Sequence, residues 1–213
     1  MVFSVSVSIV KVVINILLAL IISMYMIVER EKFKYQGKRL VYSIFSEKKG
    51  DTICKTFGEC NDIFSAFLIS KAIDSLIIGC LCFVIMNVLH LPYTVLISVI
   101  VGITNMIPYF GPFIGAVPGT LIYLCTSPKD ALIFVIMIFV LQQFDGLVLG
   151  PRLLGQSTGL SPIWVIFGIT VGGAYFGVVG MFIGVPVVAV FAFLLNKIIS
   201  YRLRGKKVEA LDE

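Results

Sequence analysis

Charged residues are scarce in this sequence, and the side chains that build metal and redox centres are scarcer still. Aspartate, glutamate, lysine and arginine make up 14% of the 213 residues, and the sole histidine is His90. The five cysteines include no CxxC pair, so the chain cannot supply a Cys/His zinc set. A Walker A motif, which ATP-driven transport would need, is also missing. We therefore expect no enzyme activity, no cofactor and no bound metal.

Apolar residues take the place of the missing charges. Hydrophobic residues make up 59% of the chain, and the mean hydropathy is +1.04. This profile is typical of integral membrane proteins. The apolar runs are near the length of a membrane-spanning helix and do not alternate as barrel strands do. The predicted fold is an all-α, polytopic membrane protein with about seven hydrophobic segments, embedded in a lipid bilayer.

The basic residues predict how the chain is oriented. The net charge of +5 comes mainly from two clusters beside apolar segments, residues 30–55 and 197–207. Because positive loops stay on the cytoplasmic side, we expect both clusters there and no nucleic-acid partner. The predicted layout is a transmembrane segment at 1–28, a cytoplasmic amphipathic loop at 29–71, a transmembrane transport core at 72–201 and a cytoplasmic tail at 202–213. Lys71 and Asp74 lie three residues apart and are predicted to pair at the cytoplasmic interface.

Two apolar segments near the middle of the chain are too short for a full span. Residues 93–108 and 111–125 fall below the length of about 20 residues that a spanning helix needs. The motif PYFGP, residues 108–112, joins them, and Asn105 and Pro118 interrupt their flanks. Such segments predict discontinuous helices or a re-entrant hairpin, which membranes tolerate only against protein or a wet cavity. Counting both segments as spans gives roughly six crossings after the first segment, and a re-entrant hairpin would replace two of them.

The most unusual stretch is residues 142–162, QQFDGLVLGPRLLGQSTGLSP, which places polar side chains between two apolar runs. Helical geometry puts Gln142 and Asp145 on one face. Gly150 and Pro151 are predicted to end that helix, because proline lacks an N–H group and clashes with the preceding turn. Arg152 follows the break, either as a topology anchor, which we favour, or as a group that holds the break.

Asp145 is the best candidate for a cation or proton site, because burial can make a carboxyl group exchange a proton during a transport cycle. Gln142 and Gln143 can offer neutral oxygens to sodium. The alternative is that Asp145 caps or pairs locally near a wet helix end. The candidate transport residues are Asn105, Gln142, Gln143 and Asp145, the candidate helix-break or hinge residues are Pro108, Gly111, Pro112, Pro118, Gly150 and Pro151, and the candidate anchor is Arg152.

The last apolar region, residues 162–201, is rich in glycine and is predicted to form two spans joined near residues 177–180. Gly173 and Gly177 form a GxxxG pair that would let helix backbones approach closely. The region also repeats an earlier pattern, because YFG at 109–111 and FIGAVP at 113–118 return as YFG at 175–177 and FIGVP at 182–186. An inverted repeat would produce this echo, and transport sites form between such repeats. Chance similarity between two segments rich in glycine and phenylalanine is the alternative.

Four motifs, taken together and in order, resemble the AI-2E transporter family. They are PYFGP at 108–112, QQFDG at 142–146, GPRLLGQSTGLSP at 150–162 and GVVGMFIGVPVVAV at 177–190. The resemblance implies a bacterial inner-membrane protein that forms homo-oligomeric rings. It also implies a secondary transporter or exporter, with autoinducer-2-like signal export or sodium/proton antiport as its activity.

The sequence departs from that family in two places. Family members are usually longer at the N-terminus, so we expect a truncated copy, and relatives commonly carry asparagine where this chain has Leu147. Both departures favour a second hypothesis, a non-transporting membrane assembly or regulatory module or an inactive truncated family member. The polar residues inside the broken segments favour transport.

Overall fold

The described part of the chain, residues 2–153 and 160–204 of the computed structural model, is built from helices. This confirms the predicted all-α membrane fold. The elements are α1 (Val2–Val28), α2 (Arg30–Ile44), α3 (Glu47–Val88), α4 (Thr94–Thr104), α5 (Gly111–Thr126), α6 (Pro128–Phe144), a π-helical segment (Asp145–Leu149), α7 (Gly150–Leu153) and α8 (Pro162–Arg204).

Three helices in the described residues are long and apolar enough to cross a membrane, namely Glu47–Val88, Pro128–Leu149 and Pro162–Leu203. A fourth span results if Val13–Val28 is counted together with α2, which follows it after a bend of 67°. Helix α2 lies within the loop that is predicted to be amphipathic. The predicted border between loop and transport core, at residue 71, falls inside α3.

The chain divides into two compact units, Met1–Gly58 and Glu59–Glu213. In the first unit, the Tyr42 hydroxyl donates a hydrogen bond of 2.5 Å to Asp51 Oδ1. In the second unit, one apolar core joins α3, α4, α5 and α6. Tyr123 is fully buried there, and its hydroxyl donates a 2.5 Å hydrogen bond to the Pro92 carbonyl. This bond satisfies the polar end of a buried aromatic side chain, as burial requires.

Helices α4 and α5 form a tight hairpin. A methyl group added at Gly111 would lie 2.0 Å from the Thr104 carbonyl oxygen, and one added at Gly115 would lie 2.4 Å from the Thr104 hydroxyl. The connecting residues include Tyr109, which has a positive φ of 63°. Helix α4 has 11 residues and therefore rises only about 16 Å, roughly half of a bilayer core. Both α4 and α5 are shorter than a full span, as predicted, and whether they cross or re-enter the membrane stays a prediction.

Helix α8 folds back on itself at Gly177, where φ is 61° and ψ is −144°. A methyl group added at Gly172 would lie 2.1 Å from the Gly180 carbonyl oxygen, and one added at Gly168 would lie 2.9 Å from that of Gly184. The two arms of α8 are therefore antiparallel and in backbone contact. This confirms the predicted join near residues 177–180.

The prediction that Gly173 and Gly177 let the helix backbones approach closely was wrong. Gly177 forms the turn and has no heavy atom within 4 Å of its would-be methyl group, while Gly173 faces the Met181 side chain. The contact instead uses two other GxxxG pairs, residues 168/172 and 180/184. Glycine at four-residue spacing marks one helix face, but the spacing alone does not say which of several overlapping faces meets the other arm.

Candidate functional site

The first part of the site is a buried ion pair on α3. Lys71 Nζ lies 2.6 Å from Asp74 Oδ2, and the two side chains are only 7% and 0% exposed. Residues three apart on a helix face each other, so the local sequence accounts for the pairing. The ion pair predicted from the spacing is confirmed. The prediction placed it at the cytoplasmic interface, and the structure shows that both side chains are buried among protein atoms.

Asn105 connects this pair to a third element of the fold. It follows α4 directly and is 1% exposed. Its Nδ2 atom lies 3.4 Å from Asp74 Oδ2 and 3.4 Å from Asp145 Oδ2. The Oδ2 atoms of Asp74 and Asp145 are therefore separated by no more than twice 3.4 Å. We call Lys71, Asp74, Asn105 and Asp145 the polar cluster.

Asp145 reaches the polar cluster from the start of the π-helical segment. The Gly150 N–H group donates to the Asp145 carbonyl five residues earlier, which is the hydrogen bond that defines a π-turn. The helix therefore does not end at Gly150 and Pro151 as predicted, and it continues to Leu153. Because Pro151 has no N–H group, a regular α-helical ladder loses a donor at this point. The wider turn is the local backbone change that accompanies that loss.

A cavity of about 410 Å³ adjoins the polar cluster. Its lining includes the charged or amide side chains of Lys71, Gln142 and Asp145. Gln142 Nε2, Asp145 Oδ1 and Asp74 Oδ1 are buried atoms without a hydrogen-bond partner among the described residues. Buried polar atoms of this kind favour a ligand or water as partner, because leaving them unsatisfied costs free energy. The remaining lining residues are Phe67, Pro108, Tyr109, Pro112, Gly146, Gly150, Leu160, Val165 and Val185.

The charges of the polar cluster do not balance. One ammonium group, on Lys71, faces two carboxylates, on Asp74 and Asp145. An uncompensated charge in a membrane protein interior is costly and marks ion or proton pathways. A proton or a small cation would remove this cost. The cluster is therefore suited to take up and release positive charge beside a cavity.

The structure brings together three of the four candidate transport residues. Asn105 and Asp145 are in the polar cluster, and Gln142 lines the adjoining cavity, whereas Gln143 is exposed. Leu147, at the position where relatives carry asparagine, is 74% exposed and is not among the residues that line this cavity.

The candidate hinge residues lie in different surroundings. Pro108, Pro112 and Gly150 line the cavity, and Gly111 starts α5. Pro118 lies inside α5, which continues through it without a break. Arg152 is exposed in α7, and the backbone of Pro151 belongs to the same helix. The rest of the GPRLLGQSTGLSP motif, residues 154–159, and the tail from residue 205 lie outside the described residues.

Sequence reasoning missed that Lys71 and Asp74 belong to the site. Their spacing predicted a pair, but nothing in α3 alone indicates that the pair meets Asn105 and Asp145. Asn105 lies 31 residues after Asp74 along the chain, and Asp145 lies 40 residues after Asn105. The available signal was the position of two opposite charges at the start of a long apolar run, residues 72–89. Charges there need a partner or a function.

Comparisons with known proteins agree with these motifs. The sequence profile of the AI-2E family transporter family matches residues 1–200. The chain belongs to the AI-2E transporter family. The family's description is that of transporters.

Among curated AI-2E family relatives, "Putative transport protein YueF" of Bacillus subtilis is 31% identical over 200 residues, covering 92% of this chain and 53% of the relative. "Putative transport protein YrrI" of the same organism is 35% identical over 144 residues, covering 68% and 41%. "Putative transport protein YhhT" of Escherichia coli K12 is 25% identical over 127 residues, covering 59% and 36%. The chain thus spans about half the length of YueF, or less of the others. No solved structure matches it.

Proposed function

We propose that this chain forms the core of a cation-coupled secondary transporter, and that the polar cluster is its coupling site. The observation that carries the proposal is the uncompensated carboxylate beside the cavity. Asp145 contributes one oxygen to Asn105 and has a second, buried oxygen without a partner among the described residues. Binding and release of a cation there would change the charge of the cavity wall, which is the event a gradient-driven carrier needs.

The cavity beside the polar cluster is the proposed binding site of the transported species. Its volume of about 410 Å³ is within the range of small-molecule sites. Asp145 and Gln142 lie in its wall together with apolar side chains, so a small solute with hydrogen-bonding groups fits its chemistry. The family resemblance implies export of an autoinducer-2-like signal or sodium/proton antiport, and we propose one of these two activities.

The proposal includes the setting of the protein. The curated relatives come from bacteria, and we propose the bacterial inner membrane as the location. Because basic loops stay on the cytoplasmic side, we propose that the loop at 29–71 and the C-terminal tail lie there. We further propose that the chain acts as a homo-oligomer, as the family resemblance implies.

Transport in proteoliposomes tests the function. We expect ion flux in response to a sodium or proton gradient, and we expect Asp145→Asn to abolish it while the matched exposed variant Asp62→Asn leaves it unchanged. The pair Gln142→Leu and Gln143→Leu adds a second contrast, because only Gln142 lines the cavity. Flux is expected to fall in the first and to persist in the second.

Two outcomes would contradict the proposal. Equal flux in the unmodified chain and Asp145→Asn would reduce Asp145 to a structural role. No flux with any tested gradient, from protein shown to be folded and inserted, would favour the alternative of a non-transporting membrane module or inactive family member.

A further inference from the structure

We infer that the polar cluster binds a single monovalent cation, a proton or a sodium ion, and that Lys71 sets this number by acting as a tethered cation. The inference rests on the proposed function in taking the polar cluster as the cation site. It adds the class of ion, the number bound and a specificity-determining residue. The occupant is identified by its charge and by the oxygen atoms available to it.

The positions of the two carboxylates carry the first step. Lys71 Nζ lies 2.6 Å from Asp74 Oδ2, a distance typical of a charge-assisted hydrogen bond. Asp145 has Asn105 as its hydrogen-bond partner, and an amide neutralises no charge. The ammonium group therefore compensates one carboxylate of the cluster and leaves the other uncompensated.

Charge counting gives the stoichiometry. With Lys71 protonated and both carboxylates ionised, the polar cluster carries one net negative charge. One proton or one sodium ion brings it to neutrality, whereas a divalent ion would leave a positive charge in a buried place. Because uncompensated charge is costly in the interior of a membrane protein, the neutral state with one monovalent cation is favoured.

The oxygen atoms of the cluster suit either occupant. Asp74 Oδ1 and Asp145 Oδ1 are buried and have no hydrogen-bond partner in the described ranges, 2–153 and 160–204. Asp74 as a whole is 0% exposed. Rotating the Asn105 amide by half a turn would offer Oδ1 in place of Nδ2, which supplies a neutral oxygen to sodium or an acceptor for a protonated carboxyl group. Hard cations prefer oxygen ligands of these kinds.

The ionisable groups around the polar cluster determine how many cations it is expected to bind. Among the residues that line the adjoining cavity, the ionisable ones are Lys71, Asp145 and Tyr109. Asp74 is the remaining ionisable member of the cluster itself. Tyr109 is neutral at ordinary pH, so Lys71 is the group whose removal changes the cluster's charge by one positive unit.

A series of variants with known cluster charge tests the inference. Lys71→Gln leaves two negative charges, Asp74→Asn leaves none, and Lys71→Gln/Asp74→Asn restores one. Lys71→Arg keeps the original charge, and Lys129→Gln removes an exposed lysine from elsewhere as a matched control. Purified, folded protein would be examined in two ways: by counting bound radioactive sodium at saturation, and by titrating proton uptake between about pH 9 and about pH 5 in sodium-free choline buffer.

The expected counts follow from the charges. Sodium binding, if sodium is the ion, is expected at one per chain in the unmodified protein, two in Lys71→Gln, none in Asp74→Asn and one in the double variant. If the proton is the ion, Lys71→Gln should take up one more proton per chain than the unmodified protein, and the double variant the same number. Lys71→Arg and Lys129→Gln should match the unmodified protein in both measurements.

The same count for the unmodified protein and Lys71→Gln in both measurements would overturn the inference. Should Lys71→Gln fail to fold, Asp74→Asn and the double variant decide it, because one cation bound to Asp74→Asn would contradict the charge count. The proposed function can fail separately. If flux depends on Asp145 but the number of bound cations does not depend on Lys71, the proposed function stands and the inference is rejected. If the numbers of bound cations are as expected but no flux occurs, the inference stands and the proposed function is rejected.

Discussion

The chain carries ion pairs in two very different settings. In residues 29–34, Arg30, Lys32 and Lys34 pair with Glu29 and Glu31 over 3.1–3.3 Å, and all of these side chains are 42–71% exposed. In the polar cluster, Lys71 and Asp74 pair over 2.6 Å and are 7% and 0% exposed. The charged groups are chemically the same, and what differs is the surrounding medium.

That difference decides what each region can do. Exposed pairs interact through water and salt, so each one contributes little and can change without consequence. A buried pair has lost its hydration, and removing one partner leaves a charge that nothing solvates. In the proposed transporter, only the second setting would couple binding of a cation to the free energy of the protein. A third pair, Lys197 with Glu59, has both side chains 35% exposed and lies between the two extremes.

The largest predicted effect is that of breaking the buried pair. Lys71→Met should lower the free energy of unfolding by about 3–5 kcal/mol, because Asp74 would remain buried without its partner. Unfolding in detergent, followed by helical circular dichroism, measures it. Lys34→Met is the matched exposed control and should be indistinguishable from the unmodified protein. Equal stability of the two variants would remove the distinction between buried and exposed pairs.

Removing both charges sharpens the same contrast. Lys71→Met/Asp74→Leu replaces the pair by apolar side chains, a change that is often neutral for a buried pair. The double variant should therefore recover most of the stability that Lys71→Met loses, while Asp145 still leaves the cluster with one negative charge for a single cation. A double variant as unstable as Lys71→Met would mean that packing of the Lys71 stem, and not its charge, supports the fold.

The next largest effect on stability is predicted for removal of the Asn105 amide, which lies between the two carboxylates. Asn105→Leu should cost about 2 kcal/mol, because a buried oxygen of Asp74 and a part-buried oxygen of Asp145 would each lose a hydrogen-bond donor. Asn87→Leu is the control, since Asn87 is exposed and its side chain donates to the Phe83 carbonyl of its own helix. Unfolding in the same detergent compares them. If the two variants lose the same stability, the bridge between Asp74 and Asp145 contributes nothing.

Parts of this site followed from local sequence and parts did not. The pairing of Lys71 with Asp74 follows from a spacing of three residues, and Asp145 is conspicuous because a carboxylate beside membrane segments needs a partner. Their meeting at Asn105 depends on how α3, the α4–α5 hairpin and α6 pack. Tertiary packing of this kind leaves no period in the sequence.

The backbone shows the same limit. Glycine and proline indicated where the chain would bend, and Gly177 does turn α8 back on itself. They did not distinguish a helix end from the π-helical segment that precedes Pro151, or a breaking proline from Pro118, which α5 accommodates. A proline removes a donor in each case, and the neighbouring structure decides how the helix adjusts.

The half-exposed pair should give a smaller effect. Lys197 pairs with Glu59, and its ammonium lies 5.3 Å from the centre of the Phe193 ring. Lys197→Met should lower the free energy of unfolding by about 1 kcal/mol, because water screens much of both interactions. High salt should shrink this difference more than it shrinks the effect of Lys71→Met. A loss that salt leaves unchanged would indicate packing of the lysine stem as its source.

The smallest predicted effect appears in a pH titration of the exposed region. The hydrogen bond from the Tyr42 hydroxyl to Asp51, which favours the neutral phenol, raises the pKa of Tyr42 from 10 to about 12. A raised pKa stabilises the folded form below pH 10, and that contribution is lost as the pH rises from 10 to about 12. Asp51→Asn should therefore return the pKa of Tyr42 toward 10. The tyrosinate absorbance of the unmodified chain minus that of Tyr42→Phe, measured with and without Asp51→Asn, isolates this group.

An unchanged titration midpoint of Tyr42 would mean that Asp51 does not hold the phenol. A lowered midpoint without a change in folding below pH 10 would show an exposed charge acting on its neighbour alone, in contrast to the polar cluster.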